Sequence, residues 1–160
     1  MNLANLNFDD ERLEITPYFY FINYINVLHD NFLKENFKEI TPRDFTYLSN
    51  IFYNPQISQK ELAELLFVSE SNVAQIIKRL EKSGHVKREV LKDNKGKKVL
   101  SLTEKGENVF NTLLDLICEG EEHYFKDYST EDKKKFKEML YLFCEKSAEY
   151  DKLKYSWDNK

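Results

Sequence analysis

The chain has 160 residues and a formal net charge of −4, with 41% hydrophobic and 32% charged residues, a composition typical of soluble globular proteins. Only four glycines and three prolines argue against a loop-rich all-β fold, and no apolar run approaches the roughly 18 residues of a membrane span. The N-terminal residues lack the basic start and apolar stretch of a signal peptide, so we expect a cytoplasmic protein without membrane contact.

The first predicted helix begins at the pair Thr16-Pro17. Threonine is a favourable N-cap. Proline suits the first helical position because the N–H that it lacks would have no intrahelical partner there. Apolar side chains then recur with the period of one helical face. They are Phe21, Ile22, Ile25, Leu28, Phe32 and Leu33.

Capping boxes indicate two more helix starts. Thr41-Pro42 is followed by Asp44, a capping-box variant, and this helix is expected to end before Pro55. Ser58, with Glu61 three residues later, has the full capping-box pattern and predicts a third helix. The leucines predicted to form the buried side of that helix are Leu62, Leu65 and Leu66.

A fourth helix is predicted from about Glu70 to Ser83, with Ser69 as its N-cap and Gly84 as a left-handed C-cap. Its apolar residues have the i, i+3, i+4, i+7 spacing of a stripe turned inward. They are Val73, Ile76, Ile77 and Leu80. The opposite side is polar and basic, and it carries Ser71, Asn72, Gln75, Lys78, Arg79 and Lys82.

A basic hairpin and two long helices are predicted after this. The runs "HVKREVL" and "VLSL" are expected to form short strands, joined by the turn "KDNKGKK", in which Asn94 and Gly96 favour the reversal. Thr103 is the predicted cap of a long helix, and Ser129 or Thr130 begins the last one.

Positive charge is concentrated in one stretch of this acidic chain. Residues 71–98 hold nine basic and three acidic residues, a local charge of +6, whereas the whole chain carries −4. A basic stripe on an acidic body is the electrostatic footprint of a polyanion contact. A solvated lysine-rich face is the alternative that charge alone leaves open.

The pattern beneath the charge favours nucleic acid. Two helices joined by a short turn, the second polar on one side and followed by a basic hairpin, form a winged helix-turn-helix. A recognition helix needs side chains that donate to and accept from base edges, and Ser, Asn, Gln and Arg can do so. Lysines on a hairpin can reach phosphates or the minor groove. The predicted fold class is therefore α+β, mostly α, around a winged helix-turn-helix core.

From Thr16 to Tyr150 the chain resembles the MarR family of transcriptional regulators. The run "SQKELAELLFVSESNVAQIIKRLEKSGHVKRE" is similar to the family's helix-turn-helix, and "LTEKG" is similar to its junction between hairpin and helix. The resemblance implies a homodimer on a pseudo-palindromic operator, often with a ligand pocket between its dimerisation and DNA-binding regions. It also implies three parts: an N-terminal tail and dimerisation helix (1–40), the DNA-binding region (41–102) and C-terminal dimerisation helices (103–160).

One departure from the family pattern lies in the predicted turn of the hairpin. Family members usually carry Asp-x-Arg there, whereas this chain has Asp93-Asn94-Lys95. Lysine is a compact, strongly hydrated charge, and it enters a narrow minor groove less readily than arginine. We therefore expect the hairpin, which is the wing of the winged helix-turn-helix, to contact mainly phosphates.

Candidate DNA contacts lie at the start of the third helix, on the polar side of the fourth and on the hairpin. For each of them an ordinary solvated surface is the structural alternative, and Ser69 is also needed as an N-cap, a role compatible with phosphate binding. The candidates are Gln59, Lys60, Ser69, Ser71, Asn72, Gln75, Lys78, Arg79, Lys92, Lys95 and Lys97.

The histidines and cysteines do not indicate a metal centre or a cofactor. His29, His85 and His123 are far apart in sequence and lack the spacing of metal ligands. Cys118 and Cys144 are interpreted as two buried thiols, and a redox switch is left open as the alternative. No catalytic constellation is present in the sequence, so no enzymatic activity is expected.

The aromatic run "YFYFINY" leaves two interpretations open. In the first, these side chains pack the core of a dimer. In the second, tyrosines line a pocket for a small aromatic ligand. The pocket candidates are Tyr18, Tyr20, Tyr24, Tyr47 and Tyr53.

Two functions from different classes follow from these features. The first is a homodimeric, sequence-specific regulator of transcription that binds double-stranded DNA as a repressor, with release by a small molecule left open. The second is a winged-helix module that binds protein within a transcription assembly, which the acidic total charge favours.

Overall fold

The computed structural model of this protein describes residues 9–91 and 97–154. In this part of the chain there are seven helices and one two-stranded antiparallel sheet, so the predicted class, α+β and mostly α, is confirmed. In chain order the elements are α1 (Asp10–Ile15), α2 (Tyr18–Asn36), α3 (Pro42–Tyr53), α4 (Gln59–Leu65), α5 (Glu70–Lys82), β1 (Val86–Val90), β2 (Lys98–Leu102), α6 (Glu104–Tyr124) and α7 (Thr130–Lys154).

The two predicted capping boxes are confirmed. At the start of α3, the N–H of Asp44 donates to Thr41 Oγ1 over 3.2 Å, and the N–H of Thr41 donates to Asp44 Oδ2 over 2.9 Å. At the start of α4, the N–H of Glu61 donates to Ser58 Oγ over 3.2 Å, and the N–H of Ser58 donates to Glu61 Oε2 over 2.7 Å. Each box satisfies two N–H groups that the first turn of a helix would otherwise leave unpaired.

The predicted N-cap at Thr16 is wrong. A short helix, α1, precedes it, and Thr16 is the C-cap of that helix. Both its N–H, over 3.1 Å, and its hydroxyl, over 2.6 Å, donate to the carbonyl oxygen of Arg12. Because the Thr16 hydroxyl is bonded to α1, it does not cap α2. That helix begins one residue later than predicted, and its N-cap, Pro17, makes no side-chain hydrogen bond.

The chain divides into two compact units, Met1–Phe110 and Asn111–Lys160. In the first unit the ring of Phe110 is fully buried, with its centroid 4.4 Å from that of Phe52 and 5.9 Å from that of Phe45. Each fully buried Leu or Ile contributes roughly 1.5–3 kcal/mol relative to an exposed one. Other fully buried apolar side chains of this unit are Leu48, Leu62, Val73, Ile77, Leu80, Val99 and Leu100.

The inward stripe of α5 is confirmed, since Val73, Ile76, Ile77 and Leu80 are all buried. The buried side predicted for α4 is only partly right. Leu62 is buried, but Leu65 is 44% exposed because the helix ends at that residue and the chain turns there toward α5.

The hairpin pairs Val86 with Leu102 and Val90 with Lys98. Gly84 has a φ of +78°, so the predicted left-handed C-cap of α5 is confirmed and directs the chain into β1. Strand β2 is tied to the segment before α4 by the N–H of Leu100, which donates to the carbonyl of Ile57 over 2.8 Å.

The second unit contains α7 and the later part of α6. The N–H of Asp132 donates to Ser129 Oγ over 3.1 Å, which confirms Ser129 as the cap of α7.

Cys118 and Cys144 are exposed in the single chain, so the interpretation as two buried thiols is wrong for the monomer. Among the described helices, none combines the length and the apolar character that crossing a membrane requires.

Candidate functional site

Helices α4 and α5, with the turn between them, form a helix-turn-helix. The N–H of Val68 closes the turn by donating to the carbonyl of Ala63 over 3.0 Å, and Phe67 has a φ of +53°. Ser69 then begins α5, because its hydroxyl accepts the N–H of Asn72 over 3.3 Å. The short turn sets the second helix across the first and leaves one side of α5 facing outward.

The outward side of α5 carries the candidate residues predicted for it. Ser71, Gln75, Lys78 and Arg79 are exposed, and Asn72 is half-buried. The hydroxyls of Ser69 and Ser71 lie 3.0 Å apart at the N-terminal end. These groups can donate to and accept from the edges of bases, and the basic residues add a charge that suits phosphate.

Arg79 is held by a buried carboxylate from α3. Its Nη2 donates to Oδ1 of Asp44, whose residue is 5% exposed, while 53% of the Arg79 side chain is exposed. The second oxygen of Asp44 accepts from the N–H and hydroxyl of Thr41, over 2.9 and 2.8 Å. Both oxygens of the buried carboxylate are therefore hydrogen-bonded, and the guanidinium is fixed at the edge of α5.

Asn72 is also fixed from α3. Nη2 of Arg43 donates to Oδ1 of Asn72 over 2.7 Å. Sequence reasoning gave Arg43 no role, because its partner lies 29 residues further along the chain. The only signal in the sequence is a basic residue in the first turn of a helix, where a cation is not favoured by the helix dipole.

The start of α4 and the start of β2 meet through one ion pair. Nζ of Lys97 donates to Oε1 of Glu61 over 2.8 Å. This bond, together with the two from Ser58, lowers the pKa of the Glu61 carboxyl to about 2. Lys60 is exposed and lies 3.8 Å from Glu64, and Gln59 is half-buried.

The hairpin carries further charges along its strands. Lys87 pairs with Glu89 over 2.7 Å, and Arg88 pairs with Glu81 of α5 over 3.3 Å. The candidates Lys92 and Lys95 lie outside the described residues, so their placement stays a prediction.

A buried histidine lies behind the C-terminal end of α5. His85 is 1% exposed, with Nδ1 2.7 Å from Ser83 Oγ and Nε2 3.2 Å from Glu39 Oε1. Lys105 donates to the same Glu39 oxygen over 2.8 Å, and these two partners lower the pKa of Glu39. His85 thus joins α5 to the segment before α3. Within residues 9–91 and 97–154 no three His, Cys, Asp or Glu side chains converge as metal ligands do.

The five candidate tyrosines differ in exposure. Tyr18, Tyr20 and Tyr53 are exposed, Tyr24 is half-buried, and Tyr47 is buried in the core. An open groove of about 530 Å³ lies between α2 and α3, and none of the five is among the described residues that line it. Those residues are Asn26, His29, Asp30, Pro42, Phe45, Thr46, Ser49 and Asn50. The tyrosine pocket stays a prediction.

Comparison with known proteins connects this geometry to a family. The model of the MarR family matches residues 40–97, the stretch that runs from before α3 to the start of β2. A curated HTH-type transcriptional regulator of Bacillus cereus is 30% identical over 134 residues, which cover 84% of this chain and 86% of that protein. The HTH-type transcriptional regulator YybA of Bacillus subtilis is 32% identical over 105 residues, covering 64% of this chain and 69% of that one.

A solved structure agrees in fold as well as in sequence. The crystal structure of MarR superposes with a TM-score of 0.74 at 25% identity, covering 90% of this chain and 97% of that chain.

Proposed function

The chain belongs to the MarR family of winged helix-turn-helix transcriptional regulators, and from this premise we propose that it represses transcription as a homodimer bound to a pseudo-palindromic operator. As a member it is a DNA-binding regulator of transcription. Repression, the two-fold assembly, the absence of enzymatic activity and a cytoplasmic location belong to the proposal.

The observation that carries the proposal is the outward side of α5. Ser71, Gln75 and Lys78 are exposed there, opposite a buried apolar stripe, so the helix can enter a groove without losing its packing. Ser71 and Asn72 in its first turn are polar and small, and residues of that turn contact base edges in helix-turn-helix proteins. The basic hairpin alongside suits the phosphate backbone.

The dimer is supported by apolar side chains that the single chain leaves exposed. In α2, Ile25 is 58% and Leu28 43% exposed, and in α7, Met139 is 68% and Phe143 40% exposed. Burying such side chains against a second copy is favourable at about 25 cal/mol per Å² of apolar surface. A two-fold dimer would also match the symmetry of a pseudo-palindromic site.

A small aromatic ligand that releases the DNA is a further part of the proposal. The candidate lining residues remain Tyr18, Tyr20, Tyr24, Tyr47 and Tyr53, which supply aromatic surface and hydroxyl groups. Because three of them are exposed in the single chain, such a pocket would have to be completed by the partner subunit.

The test is a gel shift with the DNA upstream of the protein's own gene, combined with sedimentation. We expect a dimer at tens of micromolar and a discrete complex that unlabelled random DNA does not compete away. A stable monomer would remove the basis for a palindromic site. Failure to bind any duplex at low salt would instead favour the protein-binding module of a transcription assembly.

A further inference from the structure

The contact between Arg43 and Asn72 limits what Asn72 can recognise. We infer that Arg43 is a specificity-determining residue, because it turns the carboxamide of Asn72 so that its amino group faces outward and selects guanine over adenine. The inference rests on the proposed function, since it concerns one base position within the operator.

The orientation of the carboxamide follows from chemistry. A guanidinium group has five N–H donors and no acceptor, so the atom of Asn72 that faces Arg43 has to be the oxygen. The bond between Arg43 Nη2 and Asn72 Oδ1 is 2.7 Å long, a short and charge-assisted hydrogen bond. Among the described residues, Nδ2 of Asn72 has no hydrogen-bond partner, so its two donors remain available.

The backbone of Asn72 is held by the cap of α5. The N–H of Asn72 is bound to Ser69 Oγ at the cap of α5, over 3.3 Å. Asn72 is the third residue of this helix, in the N-terminal turn that reaches base edges in helix-turn-helix proteins. Arg43 comes from α3, whose own start is held by the capping box of Thr41 and Asp44. The two helices thus present the amide in one orientation.

The bases differ in what they offer to such a group. Asparagine commonly binds adenine by donating to N7 and accepting from the N6 amino group, which requires a free amide oxygen. Here the oxygen is engaged, and the positive charge of Arg43 opposes the approach of another donor. Guanine displays two acceptors, N7 and O6, and no donor in the major groove. The amino group of Asn72 can therefore donate to both acceptors of guanine but only to N7 of adenine, so it favours guanine.

The test is selection from a library of random duplexes by the full-length protein, followed by sequencing of the bound DNA. Asn72→Ala first identifies the operator position that depends on Asn72. At that position we expect the wild type to prefer a G·C pair over an A·T pair on the order of tenfold. Placing 7-deazaguanine there, which lacks the N7 acceptor, should weaken wild-type binding and leave Asn72→Ala binding unchanged.

Variants of Arg43 provide the decisive comparison. Arg43→Leu frees the amide oxygen, so the preference should move from G·C to A·T, whereas Arg43→Lys keeps a cationic donor and should retain G·C. Lys38→Leu, which removes an exposed cation before α3, is the matched control and should change no base preference. Equal thermal midpoints would establish that the variants are folded.

The outcomes separate this inference from the proposed function. A wild-type preference for A·T at the Asn72-dependent position, or an unchanged preference in Arg43→Leu, would overturn the inference while sequence-specific binding stands. The inference would also be wrong if Asn72→Ala altered no position of an enriched motif. Enrichment of no motif by the wild type would overturn both.

Discussion

Arg79 of α5 donates to Oδ1 of Asp44, the same carboxylate whose other oxygen closes the capping box of α3. Glu61 repeats this arrangement at the start of α4, where Oε2 closes the box and Oε1 accepts from Lys97. In each case one carboxylate completes the capping box at the start of a helix. The same carboxylate also accepts from a basic side chain that is a candidate for DNA contact. The geometry of the proposed DNA-binding surface is thereby linked to the local stability of α3 and α4.

The two carboxylates differ in burial, which leads to a stability prediction. Asp44 is 5% exposed, so Asp44→Ala removes a cap and a charge-assisted bond shielded from water, at a cost of about 2 kcal/mol. Glu61→Ala removes the same elements at an exposed site and should cost about 1 kcal/mol or less. Denaturant unfolding of both variants checks the difference. Equal costs would mean that burial does not strengthen the Asp44 bonds.

The paired state of Glu61 predicts a pH dependence. Its folded pKa is lowered to about 2 from an ordinary value of 4.5. A lowered carboxyl pKa contributes stability that is present above 4.5 and is lost as the pH falls toward 2. The stability difference between wild type and Glu61→Gln should therefore be largest near neutral pH and shrink across this window. NMR titration of the Glu61 carboxyl gives the direct measurement, and a midpoint near 4.5 would contradict the pairing with Lys97.

The local elements of the site could be predicted from the sequence. The caps at Thr41, Ser58 and Ser69 depend on residues three positions apart, so these signals are local and can be identified in the sequence. The buried stripe of α5 depends on helical periodicity alone. The predicted start of α2 is wrong because Thr16 can cap either of two neighbouring helices, and local rules do not decide between them.

The contacts that orient the candidate side chains could not be predicted. Arg79 and Asp44 are 35 residues apart, and Lys97 and Glu61 are 36 apart. The pairing of charged side chains from different elements depends on how those elements pack against each other. The sequence pattern of a single helix contains no such information. The sequence identified Arg79 and Lys97 as basic and outward-facing, but not that each already has a carboxylate partner.

The candidate lysines of the hairpin predict that DNA binding depends on salt. They are Lys92, Lys95 and Lys97. If a dimer makes on the order of 6–10 phosphate contacts, its affinity should fall by about 10³–10⁵ between 50 and 200 mM salt. Lys95→Ala should reduce the slope of log affinity against log salt by about 2, one contact from each subunit. Lys97→Ala should change it less, because Glu61 already neutralises Lys97.

The affinities of Lys95→Ala and Lys97→Ala for operator and for random duplexes are measured in parallel. A phosphate contact weakens both kinds of DNA alike, so the ratio of the two affinities should not change. Lys134→Ala in α7, an exposed lysine that pairs with Glu138, is the control and should keep the wild-type slope. An unchanged slope in Lys95→Ala would remove that side chain from the DNA contact.

Two glycines of α6 give opposite predictions for the same substitution. A Cβ at Gly106 would overlap the carbonyl oxygen of His85 and lie 2.9 Å from its carbon, and neither atom belongs to a flexible side chain. That carbonyl also accepts the N–H of Thr103 over 3.0 Å, so it cannot move without breaking the junction between β2 and α6. Gly106→Ala should therefore lower the free energy of unfolding by about 1–3 kcal/mol.

Gly120 provides the matched control, because a Cβ there would lie 3.6 Å from the nearest atoms, in the ring of Tyr124, an ordinary contact distance. Alanine is favoured over glycine in a helix interior by about 0.8–1.0 kcal/mol, so Gly120→Ala should stabilise the protein by up to about that amount. Denaturant unfolding of both variants under the same conditions measures the two effects, whose signs should differ. Stabilisation by Gly106→Ala would mean that α6 can move away from His85, and the close approach would then not be required for the fold.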